Sequence, residues 1–138
     1  MKEEKEILKK ILKLLRKRDY SEKEIIEKVP EITPSILKEF KKRKLLDDDS
    51  LAKKIIEKLQ DKGKGIYYIL KELERRKIKE EVIEKIKKNY DFEKELEICK
   101  KVVSKLEGKN KNSIILSLKS KGFSEEIIEK VLLQDSSS

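Results

Sequence analysis

The side chains able to act chemically in this sequence are overwhelmingly lysines, and their spacing is regular. Lys54, Lys58 and Lys62 stand four residues apart, and Lys101, Lys105 and Lys109 repeat that row 47 positions later. Four-residue spacing puts each row on one side of a helix, where neighbouring like charges cost about 0.2–0.5 kcal/mol per pair. Such rows are ordinarily solvated faces. Their recurrence raises the alternative that an acidic partner repays the repulsion. Lys64, the Tyr67-Tyr68 pair and the Arg75-Arg76 pair add basic and aromatic groups nearby. Tyr and Arg are the residue types that most often anchor a protein partner.

Catalytic chemistry is poorly provided for. With no His and a single Cys, the usual His zinc sites, Cys-His pairs, Ser-His-Asp triads and internal disulfides are excluded. Cys99 has no imidazole to activate it and aligns with Ala52, so it reads as a small packed residue. Asp47-Asp48-Asp49 lacks the glycine and acceptor pattern of a calcium loop and reads as a cap for the helix that follows. Lys62-Gly63-Lys64-Gly65 lacks the spacing of a phosphate-binding loop and joins two helices, which makes it a basic turn. The expectation is a protein that is not an enzyme, with no catalytic residue, no metal ligands and no cofactor.

Composition sets the frame in which the lysines must be held. Charged residues make up 47% of the 138, yet 43 positions are Ile, Leu, Val or Phe, well above the level at which a charged chain stays disordered. A core can form, and the length suits one body. Only 4 Gly and 2 Pro interrupt a chain dominated by Lys, Glu, Ile and Leu, which favours an all-α fold. The net charge of +9 suits an acidic protein surface or nucleic acid. It is concentrated in residues 1–46, where 15 basic residues face 9 acidic ones. The longest apolar run, Ile66 to Leu70, is too short to span a bilayer, and Met1 leads into Lys and Glu rather than a secretory signal. A cytoplasmic location with no membrane contact is expected.

The elements that carry the lysines recur. ILKKILKLL (Ile7 to Leu15), LAKKIIEKL (Leu51 to Leu59) and ICKKVVSKL (Ile98 to Leu106) align on a Lys-Lys pair and shared apolar positions. In the second copy Ala52, Ile55, Ile56 and Leu59 form one stripe, the pattern of an amphipathic helix. Ile66 to Ile86 likewise matches Lys111 to Val131 at a spacing of 45. Within the stripe Ile66, Ile69, Leu70 and Leu73, at least one ring of Tyr67-Tyr68 must lie at the border, where it packs between units or anchors a partner. Ser21 with Glu24, Thr33 before Pro34, and Gly122 before Ser124 supply helix boundaries. Three tandem three-helix repeats result: 1–46 (the divergent one), 47–91 and 92–133, then a polar tail at 134–138. Each repeat sits near the lower limit for independent folding and its short helices are marginal alone, so stacking into an elongated curved solenoid with one cooperative body is expected.

Several of these segments resemble the bacterial RecX family, regulators of the RecA recombinase. They are RKRDYSEKEI (Arg16 to Ile25), DDDSLAKKIIEKL (Asp47 to Leu59), KGKGIYYILKEL (Lys62 to Leu73) and LKSKGFSEEIIEKVL (Leu118 to Leu132). They are similar to the family's Arg-x-x-Ser start of the first repeat, its acidic pair before a large residue and Ala, its Gly-x-Gly turn and its closing Gly-Phe hinge. Leu51 stands where the family usually has Phe, Lys77 where a Gly commonly precedes Ile78, and Val29-Pro30-Glu31 replaces a Gly-containing turn. The resemblance implies tandem helical repeats lying along the groove of the RecA filament on single-stranded DNA and inhibiting strand exchange, ATP hydrolysis and coprotease action. It implies a monomer with the RecA filament as partner, and single- or double-stranded DNA as further partners. A direct DNA-binding helical module without filament selectivity is the alternative.

Overall fold

The computed structural model describes residues 2–137, with side chains described through Leu133. Among the described residues the chain forms nine helices and no strand. They are α1 (Lys2–Lys17), α2 (Glu22–Lys28), α3 (Pro34–Lys42), α4 (Asp48–Asp61), α5 (Ile66–Arg75), α6 (Glu80–Lys88), α7 (Phe92–Lys105), α8 (Lys111–Ser120) and α9 (Glu125–Ser137). The all-helical expectation holds. The backbone of 134–137 continues α9, while Ser138, the end of the expected tail, lies outside the described residues.

Local chemistry sets the boundaries. In α1 the acidic Glu3 and Glu4 open the helix and Arg16 and Lys17 close it, the arrangement that complements the helix dipole. Ser21 and Glu24 form a reciprocal capping box on α2: the Glu24 N–H donates to Ser21 Oγ at 3.2 Å and the Ser21 N–H to Glu24 Oε1 at 2.9 Å. Thr33 caps α3 ahead of Pro34 at its first position. Asp91, Asn110 and Ser124 cap α7, α8 and α9 in the same way. Lys44, Lys77 and Gly122 all carry positive φ just past helix ends. Lys77 thus adopts the left-handed conformation that glycine takes most readily.

The helices gather into two compact units, and the division runs through α4, α5 and α6. The first comprises Met1–Lys54 with Leu73–Lys85. Its core is Ile11, Tyr20, Ile25, Val29, Ile36, Phe40 and Leu46. The buried Asp48 carboxylate organises this unit, accepting the Glu22 N–H at 3.0 Å and the Lys79 N–H at 2.9 Å. The N-terminus of α2 is therefore closed by a carboxylate 26 residues away. Around it Glu22 pairs with Lys79 and Lys41. Of the acidic triplet it is Asp47 that caps α4 locally, accepting the Ser50 N–H at 3.2 Å.

The second unit comprises Ile55–Glu72 with Ile86–Ser138, built on Leu96, Cys99, Val102, Leu118, Phe123, Ile127, Ile128 and Val131. Glu95, 47 positions after Asp48 and also in the first turn of its helix, is buried and accepts the backbone N–H of Ile66, the first residue of α5. Tyr90 donates its hydroxyl to the same carboxylate at 2.7 Å. The two carboxylates do the same work in separate units. The basic turn before α5 is held by backbone: the Gly65 N–H donates to the Lys121 carbonyl at 2.8 Å and the Tyr67 N–H to the Gly122 carbonyl at 3.1 Å. A Cβ on Gly65 would sit 2.6 Å from that Gly122 oxygen, so both glycines are there for close approach of two chains of backbone.

Replacing Asp48 by Ala leaves two buried N–H groups without an acceptor and should cost about 3 kcal/mol. Asp49→Ala, which removes only the exposed pair with Lys85, should cost about 0.5 kcal/mol or less. Urea unfolding of both variants against the parent measures the difference. Equal losses would show that Asp48 is not the closing group.

Candidate functional site

Helix periodicity places only part of each basic row: Lys54 and Lys58 lie on α4 and Lys101 and Lys105 on α7, whereas Lys62 and Lys109 stand past the ends of those helices. Lys58, Lys62, Lys101, Lys105 and Lys109 are all exposed, while Leu59 on α4 and Cys99 and Val102 on α7 take buried positions. Lys54 belongs to the first unit, where its Nζ lies 3.0 Å from Asp19 Oδ2. In the second unit Lys62, Lys101 and Lys105 line one groove of about 400 Å³ together with Lys94 and Lys121. Its floor is Ile98, Val102 and Leu106, and Glu57, Asp61 and Glu97 interleave with the lysines. None of the five ammonium groups is drawn into an ion pair among the described residues. The groove is thus basic but mixed.

The remaining candidates divide. Lys64 is half-buried with its Nζ 4.5 Å from the centre of the Tyr68 ring, a cation–π contact within the basic turn. Tyr67 and Tyr68 are 56% and 37% exposed, so both rings reach solvent and neither is absorbed by the core. Arg75 is exposed and Lys109 lies outside the groove. Arg76 is held inside the first unit: its guanidinium donates to Glu24 at 3.2 and 3.3 Å and to the Asp19 carbonyl at 2.8 Å. It positions the loop before α2.

Three groups of functional interest were not singled out from the sequence. Lys94 and Lys121 join the groove from outside the two rows: Lys94 stands seven residues before Lys101 on the same face of α7, a spacing that helix periodicity marks, while Lys121 caps α8 and carries no periodic signal. Tyr90 is half-exposed beside the buried Glu95; burial, then the hydrogen bond to Glu95, raises its hydroxyl above the usual value. Burial raises Glu95 as well, against the lowering effect of the Tyr90 hydroxyl and the Ile66 N–H. Lys10, Lys13, Lys17 and Lys28 line a second basic groove of about 420 Å³ in the first unit. The charge excess of residues 1–46 was its signal.

Among the described residues no cluster of three or more Cys, Asp or Glu side chains could hold a metal ion, and no helix is long and apolar enough to cross a membrane. Cys99 is fully buried in the second core.

Comparison with known proteins turns on shape. No family model matches the sequence, and no curated protein matches it. Solved structures do. The crystal structure of RecX from Lactobacillus salivarius matches with a TM-score of 0.80 at 20% identity over 94% of each chain. This chain has the RecX fold. A second crystal structure, of a regulatory protein RecX, matches with a TM-score of 0.72 at 21% identity, covering 91% of this chain and 71% of that one. The fold so matched is a helical repeat fold, in agreement with the repeated segments of the sequence.

The pH dependence of the first unit follows from Glu24. Burial opposes its ionisation, but the Ser21 N–H and the Arg76 and Arg18 guanidiniums outweigh burial and hold the carboxyl below its ordinary value of 4.5. A carboxyl lowered on folding contributes stability above its unfolded value, and that contribution is lost as pH falls through the folded one. Denaturant unfolding should therefore show Glu24→Gln less stable than the parent at pH 7, with the difference shrinking below pH 4.5. A difference that grew on acidification would contradict the assignment.

Proposed function

We propose that this protein is a RecX-type regulator that binds the RecA filament on single-stranded DNA and inhibits recombinase, ATPase and coprotease activities. The observation that carries this reading is the fold match to RecX over 94% of both chains, joined by the motif segments that resemble the family. Its setting is recombination, DNA repair and the SOS response in the cytoplasm. Three repeats, at 1–46, 47–91 and 92–133, supply similar surfaces at intervals. Several weak contacts to successive filament subunits then add through effective concentration. The exposed rows and the lysine-lined groove give such contacts their charge. No chemistry by the regulator itself is required for this action.

The mixed lining of the groove favours a protein surface over naked nucleic acid. Glu57, Asp61 and Glu97 stand among its lysines, and carboxylates beside a phosphate backbone repel it. Titration into RecA on single-stranded DNA should lower ATP hydrolysis until the filament is saturated. Saturation without any change in hydrolysis or strand exchange removes the regulator reading.

A charge test locates the contact. Reversal of Lys54, Lys58, Lys101 and Lys105 to Glu should weaken filament binding by about tenfold or more at low salt, and by less at physiological salt where screening already suppresses exposed charges. Helical content and cooperative melting should be kept. Unchanged affinity at both salt concentrations would move the contact to the basic groove of the first unit or to Tyr67 and Tyr68.

A further inference from the structure

Aligning the first and second repeats at their 44-residue spacing exposes a charge difference that the fold does not need. Lys13 and Lys17 of α1 stand where the second repeat has Glu57 and Asp61, while Lys10 corresponds to Lys54. Lys13, Lys17, Glu57 and Asp61 are all exposed, so packing dictates neither choice. In the second unit the two carboxylates make the groove mixed. In the first, the same helix face is basic throughout, and from Ile7 to Arg18 the chain carries six basic residues and no acidic one.

The groove of about 420 Å³ on this face has Lys10, Lys13 and Lys17 on its α1 side and Lys28 on its α2 side, with Leu14 between them. Among the described residues no carboxylate lines it. Lys10 approaches Glu31 at 3.7 Å, and among the described residues Lys13, Lys17 and Lys28 enter no ion pair. The helix dipoles account for Lys17 and Lys28, each in the last turn of its helix. They do not account for Lys10 and Lys13, which add like-charge repulsion within α1. Lys10 to Lys17 spans about 10 Å along the helix axis, the length of about three phosphates at about 3.4 Å per nucleotide.

We propose that the α1–α2 groove seats the phosphate backbone of single-stranded DNA. An acidic protein surface binds specifically around an apolar centre, and Leu14 alone does not supply one. A phosphate chain needs only a continuous row of cations, each lysine serving as a point charge. With lysines on both sides of so small a groove, one strand fits rather than a duplex. The choice of DNA over RNA rests on the filament reading; the phosphate contact does not. Neutralising about three or four phosphates without reading bases gives weak binding at physiological salt, about 10⁻⁴ to 10⁻⁶ M, so selectivity for the filament is kept.

Fluorescence anisotropy of a labelled oligothymidylate about twelve nucleotides long, titrated with the full chain and no RecA, reads this contact alone. Log affinity should fall with log salt at a slope of about −2 to −3, the value for three or four phosphates of a single strand. Lys13→Glu with Lys17→Asp, which installs the residue types of the second repeat, should weaken binding more than about tenfold at low salt. Lys13→Gln with Lys17→Gln should make the slope shallower by about 1.4. Circular dichroism and melting should stay unchanged in both. Lys38→Glu with Lys42→Glu, an equal charge reversal at exposed positions of α3, should leave the slope as it is. Equal losses in the α1 and α3 reversals overturn the proposal, because net charge and not the groove would then hold the strand. So does a parent chain that leaves the oligonucleotide unbound at low salt. Competition by polyglutamate as strong as by unlabelled oligonucleotide also overturns it and marks the groove as a surface for acidic protein. With RecA absent, none of these failures touches the filament reading.

Discussion

The placement of a buried carboxylate at the start of one helix against the first backbone N–H of another, far away in sequence, is the constraint on which each unit depends. Asp48 closes α2 in the first unit and Glu95 closes α5 in the second. A helix of seven residues such as α2 is unstable alone; its dipole and free N–H groups need a partner that its own loop supplies only in part through Ser21. Putting that partner on a later helix makes the short helix conditional on the longer one. Burial gives the hydrogen bonds their strength, since water does not compete for the carboxylate, and makes its removal costly.

The surface follows from the same economy. Most Ile, Leu and Val side chains are wholly or partly buried, and the outward faces of α4 and α7 carry lysines with interleaved glutamates. Ion pairs within the first unit draw in part of that charge, as Arg76 with Glu24, Lys79 with Glu22 and Lys54 with Asp19 show. The lysines of the groove in the second unit are not drawn in. With a net charge of +9, that surface attracts acidic partners over a long range.

Much of the fold was legible because helix periodicity survives a charged composition: the stripes Ile7 to Leu15 and Leu51 to Leu59 fall within α1 and α4, and Ile98 to Leu106 runs along α7 to its C-cap. Ile11, Ile55 and Val102 are buried in them. The caps at Ser21, Thr33 and Ser124 were legible for a related reason, since capping is local and its partners lie three residues apart. What sequence could not show is long-range. Asp48 looks like its neighbours Asp47 and Asp49, yet it alone reaches Glu22 and Lys79. Gly65 reads as a turn residue until the Gly122 carbonyl is found against it. Arg76 resembles Arg75 in sequence, but its guanidinium is held by Glu24 and the Asp19 carbonyl. The groove was largely legible: periodicity gave Lys101 and Lys105 and marks Lys94 two turns earlier on α7, while Lys121 follows α8, which only folding brings near.

The proposed selectivity for the RecA filament over its DNA is measured by co-sedimentation at matched salt with RecA assembled on single-stranded DNA and with the same DNA bare. The protein should pellet with the filament at concentrations where the bare DNA leaves it in the supernatant. Equal pelleting with both would contradict it and identify a direct DNA-binding helical module.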